Sequence, residues 1–289
     1  MDCNLTARIR QINAIGKVAF IPEVVYGWPS PEQSLSILSL LSRYDNVILK
    51  TSLPASEQWC NNSSAEMISI NRHAWQLGLR AKDVARVFRQ RQQPSTLVVY
   101  PGVALQHSFT ELIDILAGAF DCLTLAEGYT AEDSAWTAFG HTFREYQQIA
   151  EAGGIALANV VTNKHTDDEL VERIETSSGF IYAAVSTAVA GLIHSDSQIE
   201  KLLTRICRHT DLPIQVGFGI RGPDMIRRFS ALREVNAITM GTQLVREQQK
   251  GGHHLTAFIK ACVVACKRAV KPESTLTSSA AMTSLPFST

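Results

Sequence analysis

From Val18 onward, short β-branched runs alternate with segments of helical period, and this alternation constrains the chain more than any other feature. The runs are "VAFIPEVVY" (18–26), "VILKT" (47–51), "TLVVY" (96–100), "CLTLAE" (122–127), "IALANVV" (155–161), "GFIYAAV" (179–185), "PIQVGFG" (213–219) and "NAITMG" (236–241). Between them stand periodic stretches such as "PEQSLSILSLLSRY", "KDVARVFRQRQQ", "DDELVERIET" and "DSQIEKLLTRICR", with a last one near 252–268. Strands separated regularly by helices pair in parallel through helical crossovers. Eight such units within roughly 250 residues is the count of a closed (β/α)8 TIM barrel; an open doubly wound sheet is its main rival. The expected organisation is a single barrel domain over 1–270 and a Ser/Thr-rich tail over 271–289, aperiodic and therefore predicted disordered.

Composition narrows what such a barrel would bind. The chain has 289 residues, 45% of them apolar, enough for a large core. Its 27 basic and 27 acidic side chains cancel, which speaks against nucleic acid or an anionic membrane as partner and for a small molecule or another protein. No apolar run is long enough to span a bilayer, and the start "MDCNLTARIRQINAIG" is amphipathic, so the expected location is cytoplasmic. The six cysteines are scattered without a CxxC pair or a zinc-like Cys/His spacing, so reduced thiols and neither metal nor cofactor are expected. Cys262 and Cys266 lie on the apolar stripe of one helical stretch and are read as core.

Charges at the ends of the strands carry the functional signal. Parallel barrel strands are buried on both faces, and ligands reach the interior only at the mouth formed by their C-terminal ends. Glu23 sits late in the first run, Lys50 closes the second and Glu127 closes the fourth. Glu23 and Lys50, on neighbouring strands, are expected to pair in this cleft. Such a pair is either acid/base machinery or a neutralised couple of half-buried charges; the mouth position favours machinery. A nearby carboxylate stabilises the protonated amine, so charge pairing is favoured over a Schiff-base role for Lys50. About 45 residues separate the second and third runs, a long connection of the kind that covers or builds an active site.

The last units offer an anion site. "GFGIRGPDMIRRF" (217–229) and "ITMGTQLV" (238–245) each place glycine after a strand and before a helix start, where backbone N–H groups welcome phosphate. Two such turns on consecutive final strands say more than one.

With these residues in view, the chain resembles the tryptophan synthase α subunit family. "FIPEVVYGWPSPEQSLSIL" is similar to that family's first strand and helix, "GFIYAAVSTAVAG" to its sixth strand and loop, and "QVGFGIRGPDMI" with "ITMGTQLV" to its phosphate-binding ends. The resemblance runs from about Leu5 to about Val245. It implies a barrel that cleaves indole-3-glycerol phosphate by a retro-aldol step and docks on a PLP-dependent β subunit. It also implies that Gly191, Gly219, Gly241 and Thr242 hold phosphate, with Phe218 and Tyr182 at pocket positions.

The chemical half of the family pattern departs. The family's catalytic glutamate at the end of strand two corresponds to Lys50, and its partner aspartate to Asn61. Glu23 replaces an apolar residue of the indole pocket, and Glu127 stands for an aspartate. The loops "ASEQWCNN" and "PGVALQHS" that would carry a β subunit are unlike the family's. Two functions follow as expectations. One is a lyase of altered specificity on a phosphorylated small molecule, with Glu23, Lys50, Glu127 and Tyr182 as catalytic candidates. The other is a catalytically inactive binding or partner-regulating homologue. His73, His107, His165 and His194 are read as solvated or capping, and Trp28 and Trp59 as either a substrate wall or packing.

Overall fold

The computed structural model describes residues 3–56, 64–100, 108–126, 140–186 and 193–268. The tail over 271–289 therefore lies outside the described residues. The strands are β1 (Ala19–Pro22), β2 (Leu49–Ser52), β3 (Ser95–Val99), β4 (Cys122–Leu125), β5 (Ala156–Ala158), β6 (Val160–Val161), β7 (Ile181–Ala184), β8 (Ile214–Gly217) and β9 (Val235–Met240). All pair in parallel, in the orders β1-β9-β8-β7-β6 and β2-β3-β4-β5. Parallel bridges Phe20↔Val47 and Glu23↔Lys50 join β1 to β2. β5 and β6 are two halves of one strand, so the ring closes with the expected eight staves.

Two apolar layers follow from the alternation of side chains along each strand. Phe20, Leu49, Leu97, Leu123, Ile181 and Ile238 face outward and share a core with the surrounding helices. Their neighbours Ile21, Ile48, Cys122, Phe180, Tyr182 and Ala237 fill the interior, which Leu5, Ile9 and Ile12 of the first helix (Asn4–Ala14) close from below. That amphipathic start is thus the barrel's bottom plug.

The break between β5 and β6 falls on Asn159. Its Nδ2 donates to the carbonyls of Arg173 (3.1 Å) and Thr176 (3.1 Å), at the end of the helix Asp167–Glu175. The backbone N–H of Asn159 donates to Ser177 Oγ (3.1 Å) and so leaves the strand ladder, which interrupts the strand locally. A short helix, Thr242–Gln248, follows β9 at the helix start that the sequence places after Gly241. Cys262 and Cys266 are fully buried in the core, and burial pushes both thiols up, Cys262 to about 12. Among the described residues no helix is long and apolar enough to cross a membrane, and no cluster of His, Cys, Asp or Glu is arranged to hold a metal ion.

Candidate active site

Barrel interiors stack in layers supplied by alternate strands. Followed around the ring, the strand register puts Lys50, Thr124, Tyr182 and Thr239 in one layer, with Glu23 and Gly217 in the next layer toward the mouth. Lys50 is 2% exposed and Glu23 8%, and Nζ lies 3.2 Å from Glu23 Oε2. The same Nζ donates to Thr239 Oγ1 at 3.3 Å. Thr239 commits its own proton to the carbonyl of Ile21 (2.7 Å), so it turns a lone pair toward the ammonium. The face of the Tyr182 ring, 5.0 Å from Nζ, supplies a further attraction for the cation. The buried lysine is thus held by a carboxylate, a hydroxyl and an aromatic face, the condition under which burial of a charge is tolerable.

Glu23 is fixed by backbone as well. Its N–H donates to the Met240 carbonyl (2.8 Å), and the Lys50 carbonyl accepts from Val24 (2.9 Å). One carboxylate oxygen is engaged by Lys50; the other, Oε1, is buried without a hydrogen-bond partner. A carboxylate oxygen left open at a barrel mouth can exchange a proton with a ligand hydroxyl.

Tyr182 stacks on Phe218, with centroids 5.1 Å apart and planes 21° from parallel. Gly217 makes this possible. A Cβ there would lie 2.4 Å from Tyr182 Oη and 2.6 Å from its Cε2, so the ring occupies the space a side chain would take. Phe218 itself adopts φ 67°, a left-handed conformation that a non-glycine residue holds only when its surroundings compel it.

The three described members of the expected phosphate set follow β8 and β9, which are neighbours in the sheet. Gly219 turns the chain at φ 77° ahead of the helix Pro223–Ser230, and Gly241 caps the helix Thr242–Gln248. A Cβ on Gly241 would stand 3.6 Å from Glu23 Oε2 and 3.4 Å from Met67 Sδ, so this end of the site adjoins the charged pair. Thr242 Oγ1 shares a 2.8 Å hydrogen bond with Ser64 Oγ, the N-cap of the helix Ala65–Gln76. The long connection after β2 is thereby tied to the mouth. Glu127, Gly191 and Asn61, and with them Trp59, His107 and most of the two β-subunit loops, lie outside the described residues.

Other expectations are refined. His165 is not solvated: it is 3% exposed, and its Nδ1 accepts from the Thr162 N–H at 3.3 Å. His194 is half-buried, and burial, then Lys164, hold its pKa below the ordinary histidine value. Trp28 packs beside Val25, Met67 and Ile70 with its ring edge-on to His73, which is the packing reading. Sequence reasoning missed Thr239 and Gln215. Both are polar residues inside apolar strands, the same anomaly that singled out Glu23. Gln215 is fully buried with neither end of its amide hydrogen-bonded, one layer beneath Lys50.

Comparison with known proteins agrees with this architecture. Residues 141–272 match the family model of the tryptophan synthase alpha chain. Tryptophan synthase from Mycobacterium tuberculosis superposes with a TM-score of 0.79 at 18% identity, covering 93% of this chain and 100% of that one. A structure from Aquifex aeolicus VF5 gives 0.78 at 16% identity, covering 93% and 100%. The tryptophan synthase alpha chain of Legionella pneumophila subsp. pneumophila gives 0.75 at 15% identity, covering 92% and 98%. The shared barrel shows the TIM-barrel fold, and the C-terminal part of the chain is similar to the tryptophan synthase alpha chain family.

Proposed function

We propose that this barrel binds a phosphorylated small molecule and carries out an altered retro-aldol, lyase-type cleavage rather than ordinary indole-3-glycerol phosphate cleavage. The observation that supports this most is the buried Glu23–Lys50 pair at the mouth with one Glu23 oxygen open. A positive lysine cannot repeat the proton transfers of the family's glutamate, and a carboxylate in place of an apolar residue disfavours an indole ring.

In this reading Gly219, Gly241, Thr242 and Gly191 hold the phosphate, and Phe218 with Tyr182 forms the wall. Glu23 takes the proton of the substrate hydroxyl. The O–H electrons become the new carbonyl bond, the carbon–carbon bond breaks, and the leaving carbon takes the pair together with the proton that Glu23 returns. Lys50 stays protonated, orients Glu23 and supplies positive charge beside the developing oxyanion. Its bonds to Glu23 and Thr239 oppose a covalent role. Glu127, at the end of the fourth apolar run of the sequence, is a second acid/base candidate.

The binding half is tested by Gly241→Asp. The contacts around a Cβ there are ordinary van der Waals distances, so the variant should fold. The added carboxylate beside Glu23 should abolish binding of glycerol phosphate in calorimetry. Wild-type affinity in the variant would remove the cradle from this account.

A further inference from the structure

Ser186 follows β7 and bridges in antiparallel fashion to Ile193. It is 4% exposed, and its Oγ is buried with no hydrogen-bond partner. A buried hydroxyl normally finds a partner, and one left over beside a candidate ligand site points to a ligand. Here the neighbour is Gly219. A Cβ built on that glycine would lie 3.1 Å from Ser186 Oγ and 3.3 Å from Ile193 Cγ1, so glycine keeps open the space flanking the hydroxyl. With φ at 77°, Gly219 also starts the turn into the helix Pro223–Ser230, whose opening N–H groups lack intrahelical acceptors.

We propose that Ser186 is a ligand-binding residue that donates its hydroxyl proton to a phosphoryl oxygen held at Gly219, completing the cradle from the β7 side. The proposal rests on the reading of this end as a phosphate site and adds a residue to it. A neutral donor suits the place. It satisfies an anion oxygen without a second buried cation near Lys50, and a dianionic phosphate monoester offers enough acceptors for both the backbone and the hydroxyl.

Inorganic phosphate is the probe, titrated calorimetrically into wild type, Ser186→Ala, Ser186→Cys, Ser186→Thr and Gly241→Asp, with thermal melts run alongside. The expected result is measurable binding to wild type and affinity lower by about tenfold or more in the Ala variant, the scale of one hydrogen bond to a charged acceptor. The Cys variant keeps the volume but is a poor donor and should behave like Ala. The Thr variant keeps the hydroxyl and should stay near wild type. Wild-type affinity in folded Ala and Cys variants would overturn the role of Ser186 while leaving the cradle in place. Absence of binding to wild type would overturn the cradle itself, and the proposal with it.

Discussion

At the scale of single residues, the mouth is organised by where two charges sit. Glu23 and Lys50 were legible in the sequence because one is a charged residue late in an apolar run and the other closes one, and parallel barrel strands leave few places for a charge. Thr239 and Gln215 were not, because a Thr or Gln in a strand is ordinary until the register shows which face it takes. The neighbours of Lys50 make its removal expensive. Lys50→Met leaves the buried carboxylate of Glu23 without its counter-charge, and the expected cost is roughly 3–5 kcal/mol of folding stability. Combining it with Glu23→Gln should return most of that loss. Chemical denaturation of the two single variants and the double variant checks this; additive losses would mean that the two residues do not interact.

At the scale of elements, all eight staves were readable from their β-branched runs, whereas their ends and interruptions were not. "IALANVV" reads as one strand, and the break shows only in the structure, where the Asn159 N–H donates to Ser177 Oγ and its Nδ2 to Arg173 and Thr176. The helix start after Gly241 was legible, but the extent of the helix Thr242–Gln248 was not, because its pattern is short. It is fastened by Glu247, 4% exposed, whose carboxylate accepts from Lys250 (2.9 Å), His254 (2.5 Å) and Gln243 (2.6 Å). Burial by itself would raise the Glu247 pKa, but these hydrogen bonds together outweigh it and the net direction is down. A carboxyl depressed in the folded state stabilises the fold above its unfolded pKa and loses that contribution as pH falls through the folded value. Thermal stability should therefore drop as pH falls below about 4.3, the ordinary carboxyl value. Glu247→Gln should have a shallower drop, read from melting curves across pH 3–7. Parallel curves for the two proteins would contradict the assignment.

At the scale of the whole molecule, the barrel separates its apolar bottom from the candidate site at its mouth. The first helix seals the bottom with Leu5, Ile9 and Ile12, the interior turns polar from the layer of Gln215 to that of Lys50, and the mouth gathers Glu23, the Tyr182–Phe218 stack and the glycine turns. The fold followed from counting units, and the candidate site from anomalies in an otherwise apolar pattern; the identity of the ligand is written in neither. The proposed function requires that this mouth turn a phosphorylated compound over. The direct measurement is steady-state turnover and binding of a panel of sugar and indole phosphates by wild type and by Glu23→Gln. The expected result is carbon–carbon cleavage of at least one compound by wild type and a loss of roughly 100-fold or more in kcat in the variant, the scale of a missing acid/base group, with binding retained. Binding without turnover in either protein would contradict it and leave a barrel that only binds.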